Sequence, residues 1–158
     1  MVSAAALGIA TADEPQLCPA YRPDRNKGSL GRIYEDYRKK GFNPLNPTPS
    51  GMAYYFYNPE SGTFPAIDDC QQQSGALAEY KGPGYEEHML KNDGPWQGML
   101  AGILNQSKAQ ASAAGARPLE WDFAEKRVAD YFRGVFAEPD KGRESIRVEW
   151  EPMPRGRQ

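Results

Sequence analysis

The sequence predicts an α/β fold of the α+β type, with a central mixed sheet of about four to five strands flanked by helices. Two observations predict this class. Short aromatic or alternating segments between turn residues indicate strands, and longer segments with apolar residues three or four positions apart indicate helices. These segments follow the order α-β-β-β-α-β-α-β, and the chain of 158 residues is long enough for one domain with a core.

The first predicted element is a helix over residues 29–40, which Gly41 ends. Ser29 is the expected N-cap, because its hydroxyl can accept a hydrogen bond from the first helical turn. The predicted apolar side of this helix comprises Leu30, Ile33, Tyr34 and Tyr37. Residues 1–28 carry three prolines and are predicted to be an irregular N-terminal segment or linker.

Three predicted strands follow, separated by segments rich in glycine, proline and polar residues. The strands span residues 52–57, 63–69 and 76–81. The sequence Gly82-Pro83-Gly84 ends the third strand, because neither residue type continues a regular strand easily.

Helices and strands alternate in the predicted second half. The elements are a short helix over 85–91, a long helix over 95–114, a strand over 119–123, a helix over 125–136 and a strand over 146–150. Pro95 suits the first position of the long helix and Gly115 suits its C-cap. The alternating aromatic residues Trp121 and Phe123 are expected in the core. The predicted buried stripe of the long helix comprises Trp96, Met99, Leu100, Ile103, Leu104 and Ser107.

The charge of the chain limits how it can bind nucleic acid. Its formal net charge is −2 and its pI is about 5.5, whereas non-specific DNA-binding proteins usually carry a basic excess. Any contact with phosphate must therefore come from a local patch. Lys108, Arg117, Lys126 and Arg127 are the candidate DNA-binding residues of such a patch.

The two cysteines, Cys18 and Cys70, cannot form a structural zinc site with the single histidine, His88. Because they lie far apart in the sequence, we expect reduced thiols in a reducing compartment rather than a disulfide scaffold, with a single bridge between them as the alternative. No segment approaches the roughly 18 apolar residues of a membrane span, so no membrane partner is expected.

A carboxylate and an ammonium group share one face of the third predicted strand. Glu79 and Lys81 lie two positions apart, so their side chains point the same way. A hairpin turn centred on residues 74–75 would place Asp68 opposite Lys81 and Cys70 opposite Glu79. Asp68, Glu79 and Lys81 would then share a face.

The neighbouring aspartate is an open alternative. In the same hairpin, Asp69 would share the opposite face with Tyr80, but a slip of one residue in the register would exchange Asp68 and Asp69. Both aspartates therefore remain candidates for the site.

Two carboxylates beside a lysine predict a site for Mg²⁺ or Mn²⁺. Asp68 and Glu79 are the candidate metal ligands, because hard divalent cations prefer oxygen ligands and keep several waters. Lys81 could orient or deprotonate a water and offset charge on a phosphate, which predicts phosphodiester hydrolysis. A lone Glu-x-Lys pair more commonly forms a surface salt bridge, so the preceding aspartate and the following helix carry the prediction.

That long helix contributes two amides. Gln106 and Gln110 lie four positions apart on one side of the helix, and they continue its apolar stripe. Polar residues in this position indicate that the helix end faces a hydrated cleft. Their amides could hydrogen-bond phosphate oxygens or the nucleophilic water.

Together these features resemble the restriction-endonuclease-fold toxin domains of the fifth group, which occur at the C-termini of bacterial polymorphic and type VI secretion effectors. The resemblance covers roughly residues 30–153. It rests on Glu79-Tyr80-Lys81-Gly82, on the Gln106-x-x-x-Gln110 helix, on the strand Leu119–Phe123 and on the closing strand before Pro152.

The resemblance implies a PD-(D/E)xK core and Mg²⁺-dependent DNA cleavage. Asp68, Glu79, Lys81, Gln106 and Gln110 would be the catalytic set. Glu35 corresponds to an additional acidic residue that this fold often places in the first helix. The family more often has one aspartate followed by glycine where this chain has Asp68-Asp69-Cys70.

The resemblance also implies a biological setting. The nuclease toxin domain would span residues 29–153, with a tail over 154–158 and with carrier or secretion-apparatus domains N-terminal to it. The protein would be a secreted effector of interbacterial competition that acts in the cytoplasm of the target bacterium, and the producer would hold a cognate immunity protein. An RNase with the same core and a non-catalytic protein-interaction domain are the alternative functions.

Overall fold

The computed structural model describes residues 18–24 and 28–154. Within these ranges the strands are β1 (Arg22–Pro23), β2 (Met52–Tyr55), β3 (Ala66–Ile67), β4 (Asp69–Cys70), β5 (Leu77–Lys81), β6 (Leu119–Phe123) and β7 (Ile146–Trp150). The helices of the same ranges are α1 (Ser29–Phe42), α2 (Glu86–Lys91), α3 (Gly94–Ala114) and α4 (Lys126–Phe136). None of these helices has the length and apolar character needed to cross a membrane.

The main sheet is mixed and has the strand order β4-β5-β6-β7. Strand β4 is antiparallel to β5, while β5, β6 and β7 run parallel to one another. The crossover from β5 to β6 contains α2 and α3, and the crossover from β6 to β7 contains α4. The predicted mixed α/β class is thus confirmed at this level.

The two faces of the main sheet are covered by different helices. On one face, Trp121 and Phe123 of β6 lie in the core with residues of α3 and α4, and Phe123 stacks on Phe132 with ring centroids 5.5 Å apart. On the other face, Tyr80 of β5 packs with Tyr34 of α1. Alternate residues of β5 and β6 therefore face different helices.

The helix α3 begins at Gly94, one residue before the predicted start, and ends at the predicted Ala114. Asp93 is the N-cap, and its side chain accepts a hydrogen bond from the backbone N–H of Trp96 at 3.0 Å. Gly115 follows the last turn with a φ of 58°, a conformation that favours glycine. Of the predicted stripe, Trp96, Ile103 and Ser107 are buried.

The prediction for α1 was wrong in two respects. The N-cap position is Gly28 rather than Ser29, which is the first residue of the helix. Leu30 and Ile33, predicted to face the core, are about half exposed. Tyr34, also predicted to face the core, is buried, and beside it the helix buries the ion pair of Glu35 and Lys39, because a carboxylate and an ammonium that neutralise each other can be buried.

The predicted hairpin register was displaced by two residues. Cys70 pairs with Leu77 rather than with Glu79. The single strand predicted over 63–69 is divided between β3 and β4, which belong to different sheets. A displacement of two residues preserves which side chains share a face, so the predicted grouping of side chains survives the error.

The prediction of reduced thiols was also wrong. Cys18 and Cys70 form a disulfide that joins residues 52 positions apart, with their Cα atoms 5.9 Å from each other. In addition, β1 pairs with β2, so residues 18–24 are attached to the fold by backbone hydrogen bonds as well. The separation of the two cysteines in the sequence gives no sign that they are close in space. They are close because β1 pairs with β2 and so brings the N-terminal segment back to the fold.

Candidate active site

The candidate site lies in a cleft at the carboxyl end of β5. The cleft has a volume of about 780 Å³, and the side chains that line it include Asp68, Glu79, Lys81, Tyr85 and Gln106. One wall is formed where α1 approaches the end of β5. The approach is close, since a Cβ atom added to Gly82 would lie only 3.1 Å from the Cβ of Tyr34.

Glu79 is buried and accepts hydrogen bonds on both carboxylate oxygens. Its Oε1 accepts from the Nε2 of Gln110 at 2.8 Å and, more weakly, from the backbone N–H of Asp68 at 3.4 Å. Its Oε2 accepts from the Nε2 of Gln106 at 2.9 Å and lies 3.2 Å from the Nζ of Lys81. These donors fix the orientation of the carboxylate and stabilise its charge.

Lys81 is almost completely buried at the edge of the cleft. Its Nζ donates to the Oε1 of Gln106 at 2.6 Å and also contacts Glu79. The same ammonium lies 5.0 Å from the ring centroid of Trp121, within the range of a cation–π interaction. The ammonium group is therefore held in one place rather than moving with a flexible side chain.

Trp121 is a site residue that the sequence analysis assigns only to the core. Its indole N–H donates to the Oε1 of Gln110 at 3.0 Å, while the Nε2 of Gln110 donates to Glu79 and to the backbone oxygen of Ala66. Because an indole can only donate, this bond determines which end of the amide faces Glu79. The pairing of Trp121 with Glu79 between parallel strands depends on a register that local sequence does not reveal.

The structure places Asp68 at the cleft and next to Glu79. Asp68 is buried, and its Oδ2 accepts a hydrogen bond from the backbone N–H of Tyr80 at 2.8 Å. Its own N–H points to Glu79. The two carboxylate residues are thus linked directly through the backbone.

Asp69 lies on the opposite face and has a different environment. Its carboxylate accepts from the hydroxyl groups of Thr48 and Tyr80 at 2.7 and 2.8 Å, and from the amide of Asn43 at 3.2 Å. Burial raises the pKa of Asp69, although the hydrogen bonds from Thr48 and Tyr80 act to lower it. Asp69 therefore connects the loop after α1 to the sheet, and the face it shares with Tyr80 is the predicted one.

The arrangement of Asp68 and Glu79 fits a hard divalent cation. Within residues 18–24 and 28–154, no group of three or more histidine, cysteine, aspartate or glutamate side chains could hold a metal ion. Two carboxylate residues in one cleft nevertheless match Mg²⁺, which often takes one or two carboxylates and keeps several waters. The described residues that line the cleft include three carboxylates, Asp24, Asp68 and Glu79, and one cation, Lys81. Because the carboxylates would repel a phosphate, binding of a phosphate there would need an added positive charge.

Glu35, the additional acidic candidate, is not among the cleft-lining residues. It is buried in α1, and its Oε2 lies 2.6 Å from the Nζ of Lys39 and 3.3 Å from a guanidinium nitrogen of Arg32. Lys39 in turn donates to the backbone oxygens of Pro49 and Met52. In this structure Glu35 joins α1 to the loop before β2.

The four candidate DNA-binding residues do not come together at the cleft. Arg117 donates to the backbone oxygen of Gly75, at the far end of β5, and lies over the ring of Phe56. Lys126 pairs with Asp130 at 2.9 Å on the exposed side of α4, where Arg127 is also exposed. Lys108 lies beside Gly142, in the loop before β7. None of the four lines the cleft.

A further buried carboxylate, Asp122, lies on the sheet face that α1 covers. Its Oδ2 accepts hydrogen bonds from the guanidinium group of Arg38 at 3.0 and 3.2 Å. Burial and the neighbouring carboxyl of Glu120 raise the pKa of Asp122 to about 8, against the opposing effect of Arg38. Asp122 does not line the cleft and has no direct part in the site.

The chain matches no protein-family model, no curated protein and no solved structure. The assignment of a function therefore rests on the chemistry of the cleft. Its distinguishing features are Asp68, whose backbone N–H is bonded to the carboxylate of Glu79, the fixed ammonium group of Lys81, and the two glutamines that hydrogen-bond to Glu79.

Proposed function

We propose that this protein is a Mg²⁺- or Mn²⁺-dependent nuclease with a PD-(D/E)xK restriction-endonuclease-like core, and that DNA is its substrate. The observation that carries the proposal is the convergence of Asp68, Glu79 and Lys81 in one cleft at the end of β5. A surface salt bridge would not need hydrogen bonds from two glutamines, one of them fully buried, whereas a catalytic carboxylate needs its orientation fixed.

The residues of the cleft have separate roles in this proposal. A divalent cation held by Asp68 and Glu79 would polarise a phosphoryl oxygen and supply an activated water. Gln110 keeps Glu79 oriented, since its amide donates to Oε1. Lys81 presents an ammonium at the cleft edge, where it can donate to a phosphate oxygen or to the attacking water. Gln106 positions Lys81 and can exchange that bond for one to the substrate.

Plasmid cleavage in Mg²⁺ tests the site. We expect Glu79→Ala and Lys81→Ala to lose at least about 100-fold in rate, because each removes a group that would act on the phosphate or its cation. The double variant Glu87→Ala/Lys91→Ala is the matched control, since it deletes an exposed glutamate–lysine pair at 3.0 Å on α2. Equal activity of the Glu79 variant and the parent would refute the assigned site. A parallel assay on RNA decides between the two nucleic acids.

The same proposal includes the setting that the family resemblance implies, namely a secreted toxin that acts in the cytoplasm of a target bacterium and a cognate immunity protein in the producer. The Cys18–Cys70 disulfide supports passage through an oxidising compartment, because disulfides rarely persist in a bacterial cytoplasm. Induction of the chain in a bacterial cytoplasm should arrest growth, and Glu79→Ala should abolish the arrest. Normal growth with the folded parent protein present would contradict the toxin role.

A further inference from the structure

Strands β2 and β3 pair antiparallel as a hairpin, and two exposed aromatic rings lie together at its end. Tyr57 and Phe64 are 54% and 61% exposed, and their ring centroids are 5.4 Å apart. The backbone holds them opposite each other: the bridge between Asn58 and Thr63 lies on one side of the pair, and a hydrogen bond from Phe56 to Pro65 lies on the other.

The hairpin does not need these rings for its own core. Tyr54, Phe56 and Ile67 point to the other side of the hairpin and are buried there. Tyr57 and Phe64, on the outer side of the hairpin, therefore expose aromatic surface to water and do not contribute to the packed interior. Clustered apolar surface of this kind marks an interaction site more often than scattered single residues do.

The aromatic pair is continuous with the cleft. Pro65 and Ala66, the two residues after Phe64, line the cleft together with Asp68. Asp68 lies four positions after Phe64, which corresponds to about 13 Å of extended chain. Phe64 also borders a second depression of about 640 Å³, which Arg22 and Tyr55 line as well.

We propose that Tyr57 and Phe64 form a stacking platform for unpaired bases of a nucleic-acid strand whose backbone enters the cleft. This inference rests on the proposed nuclease function and adds a substrate class, single-stranded or frayed nucleic acid. The faces of bases in a duplex are covered by their neighbours, so only unpaired bases can stack on the two rings. Arg22 beside Phe64 adds a guanidinium that can contact the backbone or stack on a base.

A base-dependent binding assay tests the platform. Fluorescence anisotropy compares a labelled twenty-nucleotide thymidine oligonucleotide with an abasic oligonucleotide of equal length and charge, in Ca²⁺ as a hard cation with oxygen ligands. We expect the parent to bind the thymidine strand at least about five-fold more tightly, which is the low end of base–aromatic stacking. Phe64→Ala and Tyr57→Ala should reduce this preference towards unity.

Two further variants separate stacking from apolar contact. Phe64→Leu keeps an apolar side chain but removes the ring, so it should also lose the base preference. Leu90→Ala, which removes an exposed apolar residue from α2, should keep it. Equal binding of both oligonucleotides by the parent overturns the platform, as does an unchanged preference in Phe64→Ala. A parent that dimerises through Phe64, detected as a shift to monomer in Phe64→Ala by sedimentation, also overturns it.

The two proposals can fail separately. Cleavage of DNA or RNA by a parent that shows no base preference keeps the nuclease and removes the platform. A base preference without cleavage of any nucleic acid keeps the platform as a binding site and removes the nuclease.

Discussion

Trp121 donates its indole N–H to Gln110, and Gln110 donates its amide to the buried Glu79. The indole therefore acts on the candidate metal ligand through one intermediate residue. The outer-shell partners of a metal ligand commonly affect its metal affinity, and a phenylalanine in place of Trp121 would keep an aromatic ring in this buried position.

We therefore predict that Trp121→Phe weakens Mg²⁺ binding and cleavage by about 10-fold or more. The phenyl ring still packs against Lys81, but the amide of Gln110 loses the bond that sets its orientation. Calorimetric titration with Mg²⁺ and the Mg²⁺ dependence of cleavage measure the effect. Trp96→Phe, which changes another buried tryptophan of the same core, should leave both unchanged. Parent-like Mg²⁺ binding in Trp121→Phe would contradict the role.

The two adjacent aspartates should respond differently to the same substitution. Asp68→Asn should remove cleavage while the protein stays folded, because Asp68 is the carboxylate beside Glu79. Asp69→Asn should lower the free energy of unfolding by about 1–3 kcal/mol, because it weakens buried bonds to Thr48 and Tyr80. Its activity per folded molecule should remain close to that of the parent. Urea unfolding and cleavage assays on both variants distinguish these outcomes, and the opposite pattern would assign the site to Asp69.

Asp122 predicts a specific pH dependence of stability. Its pKa rises from 3.8 to about 8 on folding, so its stabilising contribution is fully present below about pH 4 and is lost as the pH rises to about 8. Asp122→Asn keeps an acceptor for Arg38 but does not titrate. The stability of the variant relative to the parent should therefore increase across this window, on the order of 1 kcal/mol per pH unit. Urea unfolding of both proteins at several pH values measures this difference. If the free energies of unfolding of the parent and of Asp122→Asn change equally with pH, Asp122 does not titrate as expected.

At the scale of elements, β5 and α3 were predictable because their signals are local. The period of α3 alone places Gln106 and Gln110 on one side, and the period of β5 places Glu79 and Lys81 on one face. The grouping of Asp68 with them survived a register error of two residues, since only an odd displacement exchanges faces. Periodicity does not encode tertiary contacts. It therefore could not predict that Cys18 bonds to Cys70, that Trp121 lies beside Glu79, or which side of α1 is buried.

The Cys18–Cys70 disulfide joins the segment around β1 to β4 and so closes a long loop in the unfolded chain. A loop of 52 residues corresponds to a stabilisation of about 4 kcal/mol in the chain-entropy account. For a domain of this size, reduction should lower the midpoint of thermal unfolding by roughly 10 °C. Scanning fluorimetry with and without dithiothreitol measures the change.

The double variant Cys18→Ser/Cys70→Ser is the control for this experiment. Its midpoint should match that of the reduced parent and should not respond to dithiothreitol. A parent whose midpoint is unaffected by reduction would show that the disulfide contributes nothing to stability. Loss of cleavage on reduction, below the new midpoint, would instead place the disulfide in control of the neighbouring Asp68.

At the scale of the whole molecule, the net charge is −2, and Lys81 is the one cation among the described residues that line the cleft, so the cleft offers the DNA backbone little positive charge. Affinity should therefore depend on a divalent cation at Asp68 and Glu79 and only weakly on bulk salt. We predict that DNA binding in Ca²⁺ falls with salt at a slope equivalent to about one or two phosphate contacts, and that EDTA abolishes it. Anisotropy titrations at several salt concentrations give the slope, with Lys126→Ala/Arg127→Ala as the variant that tests α4. A steep slope that persists in EDTA and is reduced in that variant would show that DNA binds to a basic surface that includes Lys126 and Arg127, and not through the metal-dependent cleft.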